Sequence, residues 1–272
     1  MKKYGILANP AKHSLSPVMF NAAFKEMEID AEYRLFEIDE LGLSDFIENV
    51  KHDPISGLSV SLPHKESVMD YLNEVDEEAR AIGAVNTVHN KGGFLYGYNT
   101  DHVGSNRALE EACGSLDGKR VVVMGAGGAV RGLVYGLKKA GAEVSVHNRT
   151  AERAEAIGKD FDVEFGNLEE MKAASGDVFI QASSLWLNYP EMGELDINRL
   201  FPDEFVNKFS YVMDIVYKPL KTPLLAKAEK LGKSIITGDK MLLYQAVEQF
   251  KIWTGKEAPL DAMQRALENG LT

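Results

Sequence analysis

The chain has 272 residues, 45% of them hydrophobic and 26% charged, the balance of a soluble globular protein of one large or two ordinary domains. A formal net charge of −11 speaks against nucleic-acid binding, which needs a basic face, but leaves room for a small anion held by a few local cations. No stretch reaches the ~18 apolar residues of a membrane span, and a single cysteine, Cys113, leaves no internal disulfide, which points to a reducing, cytoplasmic setting.

The first hundred residues alternate strand and helix. KYGILA (2–7) reads as a strand, its apolar run too short for a signal peptide. SPVMFNAAFKEM (16–27) reads as a helix with Ser16 as N-cap and Pro17 in its first turn. A strand (32–38), a helix (41–50), a strand (55–62) and a short helical piece (77–83) follow. AVNTVHNKGGFLYGYN (84–99) predicts two strands joined at Asn-Lys-Gly-Gly. From Asp101 on, a helix (106–112) precedes KRVVVMG (119–125), a strand apolar enough to be buried on both faces. A helix ending at Gly141, a strand (142–148), further strand-and-helix units (162–174, 177–183, 211–217) and the helix TPLLAKAEKLG (222–232) follow. Such alternation predicts an α/β fold with parallel sheets. The tail, DKMLLYQAVEQFKIWTG and LDAMQRALENG, is helical.

Gly125-Ala126-Gly127-Gly128-Ala129 lies between the buried-type strand and a helix, the context of a dinucleotide-binding turn. Without Cβ atoms the chain turns tightly and approaches a pyrophosphate, and the helix N-terminus offers free N–H groups and partial positive charge. The last glycine of the usual pattern is Val130 here, so the loop also fits a tight turn that binds nothing. The end of the next strand is more informative. An NAD site places an acid there; this chain has Asn148, Arg149, Thr150 and, one turn on, Arg153. Guanidinium groups pair with a 2′-phosphate that an acid would repel, so the cofactor expected is NADP. The plain alternative is Thr150 as a helix cap beside surface arginines.

SLPHKE (61–66) puts Lys65 after a strand and at the start of a helix opened by Pro63, whose positive end favours the neutral amine and so suits proton transfer. GYNTD (97–101) brings Asp101 to the junction of two domains, where a carboxylate can orient that lysine. Taken singly, Lys65 also reads as a solvated lysine and Asp101 as a helix cap.

The segments HSLSPVMFNAAF (13–24), VSLPHKE (60–66), GAVNTV (83–88), GYNTD, GAGGAVR, NRTAER, DIVYKPLKTPLL (214–225) and GDKMLLYQAVEQFKIWTG (238–255) together resemble the shikimate dehydrogenase family over nearly the whole chain. The resemblance implies an N-terminal α/β substrate domain (1–101 with 238–272), a Rossmann-like NADP-binding domain (102–237) and C-terminal helices packed back on the first domain. It implies NADP-dependent, reversible reduction of 3-dehydroshikimate to shikimate, a step of chorismate and aromatic amino acid biosynthesis. Lys65 and Asp101 match its catalytic pair; Ser14 and Ser16 its carboxylate contacts; Ser61 (usually threonine), Asn86, Tyr217 and Gln245 further substrate contacts. Gly125 to Ala129, Asn148, Arg149, Thr150 and Arg153 match its NADP clamp, Ile215 and Gly238 its nicotinamide side, and Glu77 a further cofactor-side position. The implied partners are small molecules, with no nucleic acid and no membrane, in a monomer or homodimer. Short Ser, Asn and Gln side chains suit a cyclic acid bearing several hydroxyls.

The chain departs from the family at Ser59, where asparagine is usual, and in QASSLWLNYP (181–190). There Gln181 stands for Asn, Ser183 for Thr and Trp186-Leu187 for Gly-Met. A tryptophan at that place either reshapes the nicotinamide pocket or covers a hydrophobic patch. A quinate or aminoshikimate dehydrogenase, and a non-catalytic NADP-binding regulator, remain the alternatives. The six histidines form no His-x-x-x-His pair, so no metal site is expected, and His13 and His64 read as structural.

Overall fold

A computed structural model describes residues 1–53, 55–186 and 196–272. The chain divides into two compact units, Met1–Asp101 with Leu243–Thr272, and His102–Leu242.

In the first unit β1 (Lys2–Ala8), α1 (Ser16–Glu26), β2 (Ala31–Glu37), α2 (Leu43–His52), β3 (Ile55–Val60), β4 (Glu74–Val75), α3 (Glu77–Ile82), β5 (Thr87–Lys91) and β6 (Phe94–Tyr98) follow in order. They form a six-stranded sheet in the order β2-β1-β3-β5-β6-β4. The first three strands are parallel, as alternation with helices predicts, but β5 runs antiparallel to both β3 and β6. For β5 and β6 the reason is local: Gly92 and Gly93 take φ of 67° and 92°, so the chain reverses in a tight turn and needs no crossover helix.

Two local expectations change. Leu15, not Ser16, is the N-cap of α1, and Ser16 is already helical; the Ser14 hydroxyl accepts the Ser16 N–H at 3.2 Å. No α-helix starts at Lys65 either. Residues 62–66 are a turn, followed by a short 3-10 helix at Ser67–Tyr71, so the lysine lies in a turn and not in an α-helix. Its backbone oxygen instead accepts Val85 N–H at 2.7 Å, which fixes the turn against the segment before β5.

The second unit runs α4 (Asp101–Cys113), β7 (Arg120–Met124), α5 (Gly128–Lys139), β8 (Glu143–His147), α6 (Ala151–Phe161), β9 (Glu164–Gly166), α7 (Leu168–Ala173), β10 (Val178–Gln181), α8 (Ile197–Leu200), α9 (Asp203–Val206), β11 (Tyr211–Asp214), α10 (Pro223–Lys230) and β12 (Ser234–Ile236). Its six strands are all parallel, in the order β12-β11-β10-β7-β8-β9. The winding direction reverses between β7 and β10, the switch point beside which doubly wound sheets bind ligands. Four of the five β7 residues, and all of β10, are buried.

α11 (Gly238–Thr254) is one continuous helix whose first turn belongs to the second unit and whose remainder belongs to the first. The division therefore falls within a helix, after Leu242, where the sequence places it before Gly238. α12 (Leu260–Leu271) packs against α1, so the C-terminal helices complete the first unit. There Phe20 stacks on Tyr33 with ring centres 4.5 Å apart, and Trp253 closes on Phe20 at 5.1 Å.

Candidate active site

The turn after β3 and the end of β6 bring two charges together in the first unit. Lys65 Nζ donates to Asp101 Oδ2 at 2.5 Å, with both side chains nearly buried. Taking such a pair out of water is costly unless the remaining oxygen is also bonded. It is: Asn86 Nδ2 donates to Asp101 Oδ1 at 2.9 Å. Asp101 opens α4 but does not cap it with its carboxylate; its own N–H is taken by Asn99 Oδ1 at 2.9 Å. The carboxylate is thereby free to hold the lysine.

Asn86 is the hub of this cluster. Its Oδ1 accepts from Thr100 N at 2.8 Å and from Thr87 Oγ1 at 2.7 Å. Its Nδ2 also reaches Thr100 Oγ1 at 2.9 Å and Gln245 Oε1 at 3.4 Å. Thr100 Oγ1 in turn donates to the Gln245 backbone oxygen at 3.0 Å, tying α11 to the end of β6. Four of the expected residues, Lys65, Asp101, Asn86 and Gln245, are thus gathered by direct bonds. Ser14 is half-buried and Ser16 buried beside it at the start of α1, while Ser61 begins the turn that carries Lys65. Glu77 opens α3 of the first unit as an exposed side chain. His64 is buried, with Nε2 on Ile38 O at 2.7 Å, and His13 is exposed; among the described residues no His, Cys, Asp and Glu cluster fits a metal.

In the second unit the glycine loop sits at the switch point. Gly125 has φ of 134°, and a Cβ there would come within 2.7 Å of the Ala182 oxygen on the neighbouring strand's exit, so only glycine fits. Gly127 is the N-cap of α5, and a Cβ there would meet nothing within 4 Å. That open space over a helix N-terminus fits a pyrophosphate. After β8, Asn148 Nδ2 bonds the Thr150 backbone oxygen at 3.0 Å. Thr150 is the N-cap of α6, but its side chain makes no capping bond. Arg149 and Arg153 are exposed and unpaired among the described residues, so the donor set fits a phosphate. Ile215 and Gly238 lie together: a Cβ on Gly238 would fall on the backbone oxygens of Ile215 and Val216. Tyr217 follows on the same segment.

The departing loop also has a physical account. Trp186 is 1% exposed and packs in the core with Phe179, Phe201 and Phe205, so it fills a hydrophobic cluster. Leu187 lies outside the described residues. Gln181 holds the loop at its start, accepting Ser183 N–H at 2.6 Å, and its Nε2 reaches Asp214 Oδ1 at 3.3 Å. Burial pushes the Asp214 carboxyl up to about 7, against hydrogen bonds from Val216, Thr222 and Gln181 that pull it down.

Sequence reasoning missed Thr100, Thr87 and Gln249 as parts of the first site. The first stands in the Asn-Thr-Asp run before α4, and Gln249 falls one turn beyond Gln245 on α11, a spacing that puts both on one helix face.

Comparison with known proteins gives one consistent result. The family model described as the shikimate dehydrogenase substrate binding domain matches residues 6–88, that of shikimate / quinate 5-dehydrogenase 107–193, and that of the shikimate 5'-dehydrogenase C-terminal domain 240–268. A shikimate dehydrogenase (NADP(+)) of Pyrococcus abyssi is 44% identical over 267 residues, covering 97% of each chain. One of Methanocaldococcus jannaschii is 37% identical, covering 100% of this chain and 98% of its own. Among solved structures, a shikimate dehydrogenase in complex with NADP+ superposes with a TM-score of 0.91 at 36% identity, covering 100% of this chain and 96% of its own. The Thermus thermophilus enzyme in complex with NADP(H) and shikimate gives 0.87 at 33% identity, with 100% of both chains covered.

Proposed function

The chain belongs to the shikimate dehydrogenase family, and from that premise we propose the reaction it runs and the residues that run it. It is an NADP-dependent oxidoreductase that interconverts 3-dehydroshikimate and shikimate. We place the ring acid on the first unit and NADP on the second. No helix among the described residues is long and apolar enough to cross a membrane.

The nicotinamide, when bound, supplies the hydride that the ketone carbon receives. Reduction then needs one proton at the carbonyl oxygen, and Lys65 Nζ delivers it; in the oxidising direction Lys65 takes it back. Asp101 aims the lysine through its Oδ2, and Asn86 fixes the carboxylate through Oδ1. Ser14 and Ser16 bind the carboxylate, Asn86 and Gln245 the ring hydroxyls, and Ser61 is a further substrate contact. A site of this kind discriminates by its hydroxyl partners, because an analogue lacking one forgoes a bond that the full substrate makes. Gly125 to Ala129 cradle the pyrophosphate, Arg149 and Arg153 the 2′-phosphate with Asn148 and Thr150, and Ile215 and Gly238 flank the nicotinamide.

The observation that carries the proposal is the Lys65–Asp101–Asn86 chain of bonds. The test is NADPH oxidation with 3-dehydroshikimate, with quinate and shikimate compared in the reverse direction. Turnover confined to quinate would replace the substrate; NADP binding without turnover of any of these acids would overturn the catalytic reading.

A further inference from the structure

Ser59 lies on β3 next to the substrate-side turn and is 5% exposed. Its hydroxyl is fully engaged inside the protein. Tyr33 Oη donates to Ser59 Oγ at 2.6 Å, and Ser59 Oγ donates to Gln249 Oε1 at 2.6 Å. Gln249, 1% exposed, then donates through Nε2 to the backbone oxygen of Asn86 at 3.0 Å. A hydroxyl has one proton to give, and this one goes to Gln249, so it has none left for a ligand. The chain of bonds runs from β2 through β3 to α11 and ends on the residue that holds both Asp101 and Gln245.

We propose that Tyr33, Ser59 and Gln249 form a buried positioning relay that sets where the Asn86 amide stands, and thereby which ring hydroxyls the site accepts. The proposal rests on the substrate reading above and deepens it. Three bonds from α11 reach the segment around β5 on one helix face: Gln245 at Asn86 Nδ2, Gln249 at Asn86 O and Trp253 Nε1 at Val88 O, the last at 2.9 Å. Residues four apart on a helix share a face. The middle bond, with that of Thr100 Oγ1 to the Gln245 oxygen, holds α11 beside Asn86. The outer one is anchored by aromatic packing of Trp253 on Tyr4 and Phe20. Removing Gln249 leaves the Asn86 oxygen still bonded to Val60 N–H at 2.7 Å, so β3 and β5 stay paired and the variant folds. What it loses is one of the ties between α11 and Asn86.

The experiment compares Gln249→Leu, Ser59→Ala and Ser59→Thr with Val50→Ala, which weakens the core of the same unit away from the relay. Gln249→Leu lowers kcat/KM for shikimate about ten- to hundredfold, the scale of a misplaced contact, through KM for shikimate with KM for NADP unchanged. It also narrows the preference for shikimate over an analogue lacking one ring hydroxyl. Ser59→Ala follows in the same direction, and Ser59→Thr, which keeps the hydroxyl, restores both. Val50→Ala lowers Tm without moving KM or the preference. The second readout is the side-chain amide NMR signal of Asn86, assigned by its loss in Asn86→Asp; it shifts and exchanges faster in Gln249→Leu. If Tm falls but KM, the analogue preference and the Asn86 signal all stay put, the relay is only structural and the proposal is overturned. If wild-type protein turns over none of these acids, the substrate reading fails alone, and the Asn86 signal decides the relay.

Discussion

In the first unit Lys65, Asp101, Asn86 and Gln245 are bonded to one another. In the second, the side chains matched to the cofactor phosphate, Arg149 and Arg153, stand in solvent, and the loop matched to its pyrophosphate presents backbone and open space. The difference follows what each ligand offers. A ring with several hydroxyls is distinguished only by donors and acceptors held in fixed positions and out of water, which is where an unmade bond is expensive. A dinucleotide offers phosphates, which charge recognises at a distance, so the protein needs room and cations more than fixed geometry. Fixed, bonded geometry is therefore concentrated around Lys65 and Asp101, where proton transfer is proposed.

The comparison breaks most sharply at its centre. Lys65→Ala should cut turnover by roughly 10²–10⁴-fold, the span of a lost general acid, with little change in KM for NADP. It also leaves Asp101 with Asn86 as its remaining bonded side chain, so Tm falls as well. Steady-state kinetics in both directions check it, and a near-normal rate would remove Lys65 from the mechanism.

The second unit has its own buried polar centre, and it behaves unlike the first. Asp214 is 0% exposed and pushed up to about 7 from 3.8. With the folded value above the unfolded one, the native state holds the proton more tightly. That contribution to stability is complete below about pH 3.8 and is lost as pH rises through about 7. Asp214→Asn removes the ionisation and keeps an acceptor for Val216 N–H. The variant should therefore gain stability relative to wild type as pH rises, by up to about 4 kcal/mol for a three-unit shift, and its Tm should vary less between acid and mildly alkaline buffers. A variant less stable at high pH would make the ionised carboxylate an anchor instead.

Arg149→Ala addresses the exposed side of the comparison. Losing a charge-assisted bond to the 2′-phosphate should weaken NADP binding roughly ten- to hundredfold and leave NAD use nearly unchanged. Isothermal titration with both cofactors checks this; equal loss for both would assign Arg149 to some other part of the nucleotide.

How much of this the sequence discloses depends on how far apart the partners lie. The turn from β7 into α5 is written in adjacent residues, valines and then glycines, and Gly125 takes the positive φ that such a turn requires. The hairpin at Gly92–Gly93 is equally local. Lys65 and Asp101 are 36 residues apart, and no spacing rule joins them; the family resemblance does. Ser59 and Gln249 are 190 apart, and a glutamine amid the apolar face of a helix reads as ordinary until its partner is seen. Ser16 shows the opposite failure: a residue type that favours N-caps sits inside the helix, because the Ser14 hydroxyl takes its N–H. Trp186 could not be placed from sequence, since either reading of a tryptophan beside a cofactor loop needs the core to be known; the aromatic cluster around Phe179 decides for packing.

Ionic strength sharpens the comparison with the smallest effect. Exposed charges are screened beyond about 8–10 Å at physiological salt and beyond about 3 Å at 1 M. Arg149 and Arg153 are exposed, whereas Lys65 and Asp101 are nearly buried and bonded to each other. Raising salt should therefore raise KM for NADP severalfold and move KM for shikimate much less. Neutral hydroxyls are assigned to the shikimate carboxylate, and hydroxyl bonds to the ring do not depend on a field reaching through solvent. In Arg149→Ala the slope of KM for NADP against salt should flatten, because one of the screened contacts is already gone. Were both KM values to rise in parallel, attraction by the protein's overall field would govern both ligands, and the contrast between a bonded site and a charged one would not describe how this protein binds.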